Sequence, residues 1–233
     1  MEGAVLTRSP EKDRALARRL DTFGVPHVSV PLVEHAPGPD FPGLAGALGE
    51  GWAWVAVTSP TAARFLAGAW ERAGRPRLRV AALGGGTERA LKEEGLIPAF
   101  VPPEAYGRAL ATSLPGPGPV LWPTSSRAGA ELGRILEERG FTVRRLDVYT
   151  TRSRRLTAGE RERLERARLA AFASPSAVEA WAAATPARPP VAAIGEVTAQ
   201  AAKGAGFVNV LFSPSPGIEG WARVILSVYR RYA

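Results

Sequence analysis

Three Ser-Pro pairs each follow a short apolar run of the sequence, in positions where they could start helices that bind anions. The pairs are Ser9-Pro10, Ser59-Pro60 and Ser174-Pro175. Serine is a favoured N-cap residue, and proline suits the first helical position because the amide proton that it lacks would have no partner there. The free amides at a helix start attract phosphates and carboxylates. These serines are therefore predicted to cap helices first, and to bind anions through the same turns.

Other residues near the predicted strand ends could also contact an anion. Gly84-Gly85-Gly86-Thr87 could cradle one, although it lacks the longer dinucleotide fingerprint and the lysine of a P-loop. Ser176 lies in the same turn as Ser174. Arg8 and Arg127 follow equivalent strands and could form paired hydrogen bonds with carboxylates, although surface arginines would look the same.

The composition removes several kinds of chemistry. The chain has no cysteine, which excludes disulfides, thiolate metal sites and a cysteine nucleophile. Its two histidines, His27 and His35, are too few for an ordinary catalytic zinc site, so we expect both to be structural and predict no metal. Any chemistry must use oxygen groups or arginine.

Arginine dominates the charge of the chain. The 233 residues carry 30 Lys and Arg against 22 Asp and Glu, a net charge of +8 that favours nucleic acid, phosphate or a polycarboxylate as partner. Glutamates alternate with the arginines from Arg152 to Arg168, which indicates a solvated helical face rather than a nucleic-acid patch. No segment approaches the ~20 apolar residues that span a bilayer, and no signal peptide is visible, so we expect a cytoplasmic protein.

Short apolar runs alternate with amphipathic stretches along the whole chain. The predicted strands are 3–7, 27–32, 53–58, 78–83, 97–101, 119–122, 142–148, 169–173, 191–194 and 207–212. The predicted helices are 10–23, 60–73, 87–94, 104–114, 126–139, 157–167, 175–184, 197–204 and 217–231. Strict alternation predicts α/β units with parallel sheets, and this number of strands suits two sheets better than one.

The second half of the chain repeats the first. Ser59-Pro60-Thr61-Ala62 recurs as Ser174-Pro175-Ser176-Ala177, and Ala81-Ala82-Leu83-Gly84 recurs as Ala192-Ala193-Ile194-Gly195. The repeated parts follow in the order A, B, A′, B′, covering 1–34, 53–114, 119–149 and 169–231.

Two domain divisions fit this order. The chain could divide at the Pro/Gly-rich stretch 114–119, or it could leave the first domain near Glu34 and return near Thr150. In the second case the stretch 35–40 and the polar run 150–154 would be paired connections. The residues alone leave both divisions open.

Motifs spread along the chain carry a family resemblance. They are Val5-Leu6-Thr7-Arg8, Val55-Ala56-Val57-Thr58-Ser59, Val148-Tyr149-Thr150, Ala192-Ala193-Ile194-Gly195 with Thr198-Ala199, and Pro214-Ser215-Pro216-Gly217-Ile218-Glu219-Gly220. Each motif is weak by itself, but in this order they cover nearly the whole chain and resemble the uroporphyrinogen-III synthase family. One departure is Trp122-Pro123-Thr124-Ser125, which stands where many members carry Arg-Gly.

The resemblance implies a fold and selects one of the two divisions. It implies an α/β protein with two flavodoxin-like, doubly wound parallel-sheet domains, joined by a two-stranded linker with a cleft between them. Residues 1–34 plus 152–233 would form a discontinuous domain and 38–148 a contiguous one, with linkers near 35–37 and 149–151.

The resemblance also implies an activity. Members are lyases of haem and tetrapyrrole biosynthesis that cyclise hydroxymethylbilane to uroporphyrinogen III, with loss of the ring-A hydroxyl as water and inversion of ring D. They use no metal or cofactor. We therefore expect a monomeric enzyme with a small-molecule substrate, without nucleic acid or membrane as partner. The alternative is a noncatalytic two-domain binding or regulatory protein of the same fold.

Three site residues take their roles from the resemblance. Tyr149 matches the tyrosine that is thought to assist the leaving hydroxyl; by its residue type alone it would be only a strand-end aromatic. Gly195 and Thr198 stand where members bind a substrate carboxylate at a helix start, although an ordinary turn and cap would look the same.

Overall fold

A computed structural model describes residues 2–104, 106–215 and 217–232. Some predicted features include positions outside these described residues. Met1 and Ala233 are the ends of the predicted discontinuous domain, Ala105 belongs to the predicted helix 104–114, and Pro216 belongs to the last family motif.

The described chain alternates strands and helices. The strands are β1 (Glu2–Leu6), β2 (His27–Ser29), β3 (Val33–Pro37), β4 (Trp54–Val57), β5 (Val80–Ala82), β6 (Pro119–Ser125), β7 (Thr142–Ser153), β8 (Ala167–Phe172), β9 (Val191–Ala193) and β10 (Val210–Phe212). The helices are α1 (Pro10–Thr22), α2 (Phe41–Ala47), α3 (Pro60–Arg72), α4 (Gly84–Glu93), α5 (Gly107–Ser113), α6 (Glu131–Glu138), α7 (Ala158–Glu165), α8 (Pro175–Ala184), α9 (Glu196–Gly204) and α10 (Ile218–Tyr232). None of these helices is both long enough and apolar enough to cross a membrane.

The chain packs as two compact units, and unit 1 is formed by the residues up to Glu34 together with those from Arg152 onward. Its sheet has the strand order β10-β9-β8-β1-β2, and every neighbouring pair is parallel. Counted along the chain within this unit, the order is the 2-1-3-4-5 of flavodoxin-like sheets. The direction of winding reverses between β1 and β8, so the carboxyl ends of these strands are where such a sheet binds ligands.

Unit 2 spans His35–Thr151 and contains nearly all of the second sheet, in the order β3-β7-β6-β4-β5, with the start of β3 and the end of β7 crossing its bounds. The pairs β4–β5, β4–β6 and β6–β7 are parallel. These four strands repeat the 2-1-3-4 part of the same order, with the reversal between β4 and β6, and β3 occupies the edge beside β7. The α/β parallel-sheet class predicted from the sequence is therefore confirmed.

Both sheets are covered on two faces, as expected of doubly wound sheets. In β4, Val55 and Val57 pack in one apolar cluster with α2, α3 and α4, while Trp54 and Ala56 pack in another with α5 and α6. In β1, Val5 packs with α8 and α9, while its neighbours on either side pack with α1 and α10. Successive residues of a strand point to opposite faces, so each buried strand supplies two cores.

Two elements of unit 2 differ from the prediction. The predicted strand 97–101 is reduced to a single bridge between Phe100 and Ala81, because three prolines between Ile97 and Pro103 remove the amide protons that a ladder needs. The fifth strand of this sheet is β3 instead. Helix α2 was not predicted, since its sequence Phe-Pro-Gly-Leu-Ala-Gly-Ala has weak helix propensity.

The Ser-Pro pairs do not all cap in the same way. Ser59 Oγ accepts the amide of Ala62 at 3.0 Å, and Ser174 Oγ accepts the amide of Ala177 at 3.3 Å, as predicted. Helix α1 does begin after Ser9, but the side chain of Ser9 makes no capping hydrogen bond. Ser9 is the N-cap residue and Pro10 begins the helix, as predicted, while the Ser9 side chain forms a hydrogen bond with the Glu11 carboxylate that lowers the pKa of Glu11.

The Pro/Gly-rich stretch 114–119 lies inside unit 2. Leu114 is buried, and the carbonyl of Pro115 accepts a hydrogen bond from the Trp54 indole at 3.1 Å. Strand β6 then continues past its predicted end and includes the departure from the family pattern. Pro123 is tolerated there because β6 pairs with β4 only at Val120 and Leu121, which leaves Pro123 paired on one side.

Candidate functional site

In unit 2 the predicted site residues gather at the carboxyl edge of the sheet. Ser59 follows β4, Gly84–Thr87 follows β5, and Arg127 follows β6. Tyr149 lies in β7, opposite Ser125 at the end of β6. Because parallel strands end at a common edge, these residues lie on one side of unit 2.

Tyr149 is held by contacts with three other side chains. Its Oη lies 3.0 Å from Ser59 Oγ. Its ring stacks on Phe65 of α3, with centroids 5.5 Å apart and planes 12° apart, and it meets His35 of β3 edge to face at 5.5 Å. Only 8% of the residue is exposed. The orientation of the phenol is therefore set by packing on both strand and helix neighbours.

Gly38 allows the segment after β3 to lie against Tyr149. Its amide donates to the carbonyl of Val148 at 2.9 Å. A Cβ at this position would lie 2.1 Å from the carbonyl oxygen of Asp147 and 2.8 Å from the amide nitrogen of Tyr149. Any side chain would therefore push the two segments apart, which explains why glycine is needed here.

Ser59 fixes the start of the helix that supports Tyr149. Its backbone is extended, with φ −154° and ψ 154°, and Pro60 follows at the first helical position. The buried face of α3 includes Ala62 and Leu66, which pack in the unit 2 core. The cap and the core together hold the Ser59 hydroxyl at the edge of the sheet.

The glycine run lies within a helix, and Arg127 follows the end of β6. Gly84–Thr87 is the first turn of α4 rather than a loop, and Gly84 has φ +75°, a conformation that favours glycine. Thr87 is buried, so this turn presents backbone amides more than a side chain. The amide of Arg127 donates to Ser125 Oγ at 3.2 Å.

In unit 1 the corresponding residues lie after β8 and β9. Ser174 Oγ caps α8 and lies 3.0 Å from Ser176 Oγ. Gly195 is the N-cap of α9 with φ −169°, an extended conformation that any residue can adopt. Thr198 is only 4% exposed, so the start of α9 offers mainly its backbone amides.

Arg8 is engaged inside unit 1. Its Nε donates to Asp13 Oδ1 at 2.7 Å, its Nη2 donates to the carbonyl of Lys12 at 2.6 Å, and its guanidinium lies 5.2 Å from the ring centroid of Trp221. Asp13 is buried, and its Oδ2 has no hydrogen-bond partner among the described residues. Burial raises the pKa of Asp13, while the hydrogen bond from Arg8 opposes that rise. Arg8 thus offsets part of the desolvation cost of the buried Asp13 carboxylate.

The structure joins some predicted site residues directly, namely Ser59 with Tyr149 and Ser174 with Ser176. Sequence reasoning missed two neighbours of Tyr149. One is His35, which is predicted to be structural: its Nδ1 lies 3.1 Å from Thr151 Oγ1 and its ring contacts Tyr149. The predicted pairing of 35–37 with 149–151 could have placed it there. Phe65 left no signal in the sequence.

Groups that could ligate a metal are not assembled: within residues 2–104, 106–215 and 217–232 no cluster of three or more His, Asp or Glu could hold a metal ion. The groups at the two sheet edges that could contact a ligand are serine and threonine hydroxyls, the Tyr149 phenol and the free amides of helix starts. Fold and site together define an α/β protein of two parallel-sheet units, with sheet edges suited to an anionic ligand and to proton transfer through oxygen groups.

Comparisons with known proteins agree on one family. The family model described as uroporphyrinogen-III synthase HemD matches residues 14–223. The chloroplastic uroporphyrinogen-III synthase of Oryza sativa subsp. japonica is 36% identical over 244 aligned positions, which cover 98% of this chain and 81% of the rice protein.

Solved structures of low sequence identity share the fold. The uroporphyrinogen-III synthetase of Helicobacter pylori 26695 has a TM-score of 0.71 at 19% identity, covering 98% of this chain and 100% of that one. A mutant uroporphyrinogen III synthase of the extremely thermophilic bacterium Thermus thermophilus has a TM-score of 0.61 at 21% identity, covering 98% and 99%. The chain belongs to the uroporphyrinogen-III synthase family, a family of lyases in porphyrin biosynthesis, which confirms the predicted resemblance.

Proposed function

We propose that this chain cyclises hydroxymethylbilane to uroporphyrinogen III, with loss of water and inversion of ring D. The observation that carries the proposal is the 36% identity to a uroporphyrinogen-III synthase over 98% of the chain. The geometry around Tyr149 supports it, because a phenol with a fixed orientation stands at the carboxyl edge of a doubly wound sheet.

Substrate carboxylates are proposed to bind at helix starts. A flexible, carboxylate-rich tetrapyrrole needs many anion contacts, and unpaired amides supply them without a particular side chain. The proposed contacts are the first turns of the helices after Ser59, Gly84–Thr87, Ser174 with Ser176, and Gly195 with Thr198. Arg8 and Arg127 are proposed as secondary contacts.

Tyr149 is proposed to assist the departure of the ring-A hydroxyl. Hydroxide is a poor leaving group, and a proton delivered to its oxygen lets it leave as water. Tyr149 can hold that proton at a fixed place because Phe65 and His35 fix its ring. The reactive pyrrole carbon is then attacked by the far end of the same substrate.

The isomer formed by the pure protein tests the proposal. Freshly prepared hydroxymethylbilane closes spontaneously to the type I isomer, so the products are oxidised and separated by chromatography with a protein-free control. We expect predominant type III product. Type I product alone would overturn the proposal, and thermal stabilisation by substrate without turnover would favour the noncatalytic binding protein instead.

The setting of the enzyme is proposed as well. We propose a cytoplasmic monomer whose two units are its domains and which binds neither nucleic acid nor membrane. Ion pairs within the arginine-rich segment support the exclusion of nucleic acid, including Arg154 with Glu160 at 2.5 Å and Arg166 with Glu162 at 2.7 Å. Analytical ultracentrifugation at several protein concentrations tests whether the protein is monomeric.

A further inference from the structure

The hydrogen bonds at the start of α3 connect that helix to the proposed catalytic phenol. Ser59 Oγ accepts the amide of Ala62 at 3.0 Å and lies 3.0 Å from Tyr149 Oη. We infer that Ser59 is a positioning residue for the reaction: it donates its proton to Tyr149 Oη, so that the Tyr149 proton is free for the leaving hydroxyl. The inference deepens the proposed function and rests on it.

The count of protons and lone pairs favours this direction of donation. The Ser59 hydroxyl has one proton, and one of its lone pairs is occupied by the Ala62 amide. If Ser59 donates to Tyr149 Oη, its own proton is satisfied and the phenolic proton remains available. If Tyr149 donated to Ser59, its proton would be used within the protein and the Ser59 proton would need another acceptor.

The same arrangement supports the charge that develops during proton transfer. As the Tyr149 proton moves to the leaving oxygen, the carbon–oxygen bond breaks and its electron pair departs with water. The positive charge left on the substrate is shared by the pyrrole nitrogen, and the phenolate oxygen keeps the hydrogen bond from Ser59. The partial positive charge of the α3 start polarises that hydroxyl and stabilises the phenolate. The proton released when the attacking pyrrole ring regains its aromaticity restores the phenol.

Packing makes the position of Ser59 important for Tyr149. The phenol is buried, stacked on Phe65 and bordered by His35, so its ring cannot turn to find another donor. Ser59 and Phe65 both belong to the α3 segment, at its cap and one to two turns further along. The helix therefore fixes both the ring plane and the hydrogen bond to the oxygen.

The internal repeat shows that this contact is not a general property of the cap. Ser174 is the counterpart of Ser59 and caps α8 in the same way. Its Oγ instead lies 3.0 Å from Ser176 Oγ, in the same turn. The same local sequence therefore makes a tyrosine contact only in unit 2.

Rates of type III formation by purified variants test the inference. Ser59→Ala should lower kcat about five- to tenfold, the loss expected for one hydrogen bond to a developing charge, with KM changed less than about twofold. Ser59→Thr, which retains the hydroxyl and the cap, should recover most of that loss. Adding Ser59→Ala to Tyr149→Phe should cause no further fall, because the group that Ser59 serves is already gone.

A second variant separates the cap from the proton. Ser59→Asp keeps an N-cap residue, but an ionised carboxylate only accepts hydrogen bonds, so the Tyr149 hydroxyl would donate to it and not to the leaving hydroxyl. We expect its kcat to fall at least as far as that of Ser59→Ala, with a melting temperature no lower than that variant's. The matched control is Thr157→Ala, which removes the exposed cap of α7. It should lower the melting temperature and leave the type III rate unchanged.

The outcomes distinguish this inference from the proposed function. Wild-type protein that forms only the type I isomer overturns both. Wild-type formation of type III that Ser59→Ala leaves unchanged overturns the inference alone. A Ser59→Ala effect that appears in KM only, or that is equally large in the Tyr149→Phe background, would assign Ser59 to substrate binding and also overturn it.

Discussion

Tyr149 shows how a common residue type becomes chemically special through its neighbours. A tyrosine in a strand is ordinary, because aromatic residues suit sheets. Here its oxygen is paired with a capping serine, and its ring lies between a helix phenylalanine and a strand histidine. The side chain is thus fixed by contacts from two segments of unit 2, α3 with its cap and β3.

Removing the Tyr149 hydroxyl should affect the reaction more than the fold. Tyr149→Phe keeps the ring that packs on Phe65, so we expect the melting temperature to change little. The type III rate should fall severalfold or more, because no proton donor then faces the leaving hydroxyl. Tyr232→Phe is the matched control, since among the described residues that hydroxyl makes a single long hydrogen bond, to Asn209 Oδ1 at 3.4 Å. An unchanged rate in Tyr149→Phe would remove the assigned role.

Asp13 should make the stability of unit 1 depend on pH. Burial raises its pKa above the ordinary 3.8, against the opposing effects of Arg8 and His27, so the folded state holds the proton more tightly than the unfolded state. Its contribution to stability is therefore greatest below pH 3.8 and is lost as the pH rises through the raised pKa.

The variant Asp13→Asn isolates this contribution. Its amide oxygen can still accept from Arg8, but it has no charge to desolvate. The free energy of unfolding, measured with urea at a series of pH values, should improve relative to wild type as the pH rises from the acid range. Asp21→Asn, at an exposed position of the same helix, is the control. A constant difference between Asp13→Asn and wild type across pH would contradict the prediction.

At the scale of elements, the edge of the unit 2 sheet leaves no room for an added side chain at Gly38. The segment after β3 approaches β7 so closely that a Cβ on Gly38 would overlap the Asp147 carbonyl. Gly38→Ala should force the two segments apart, at a cost of about 1–3 kcal/mol of folding stability. It should also lower the type III rate, because Tyr149 lies in the displaced strand.

Gly43→Ala is a close control for this prediction. Gly43 lies in α2, a few residues from Gly38, and a Cβ there would meet nothing within 4 Å. Alanine favours helices, so this variant should be as stable as wild type or slightly more stable. Thermal unfolding followed by circular dichroism compares the pair. Equal melting temperatures for the two variants would show that the close approach at Gly38 does not limit the stability of the fold.

Some elements could be predicted from local sequence and others could not. The starts of α3 and α8 could be predicted from Ser-Pro pairs, because each serine caps its helix by accepting a hydrogen bond from the amide three residues later. The segment Val33–Pro37 has no such local signal. It is a strand because it pairs with β7, which is distant in the sequence. The predicted strand 97–101 pairs only through the bridge at Phe100, because Pro98 inside the run and the two prolines directly after it lack amide protons.

At the scale of the whole molecule, each unit has apolar cores of its own. The two clusters of unit 1 draw only on residues before Glu34 and after Arg152, and the two clusters of unit 2 draw only on residues between them. In unit 1 the ends of the two segments also meet, because Arg152 Nε donates to Glu34 Oε1 at 2.7 Å. Each unit therefore has what independent folding requires.

A fragment of residues 35–151 should fold alone. It contains both cores of unit 2 and the second sheet apart from the first two residues of β3 and the last two of β7, so we expect native-like circular dichroism and one cooperative thermal transition. Unit 1 should fold likewise when a short Gly-Ser linker joins Glu34 to Arg152. The fragment 53–114 lacks β6 and β7 and should remain unfolded as the control. An unfolded 35–151 fragment would show that the units depend on each other.

The sequence alone determined the α/β class, the family and the starts of the three helices that follow Ser-Pro pairs, because the alternation, the order of the motifs and these caps can all be read along the chain. Tertiary structure decided which of these residues touch. Ser59 and Tyr149 are 90 positions apart, and strand order brings them together, whereas the equivalent Ser174 meets a serine two residues away. The burial of Asp13 beside Arg8 was equally invisible, since desolvation depends on the helices packed around a carboxylate and not on its neighbours in the chain.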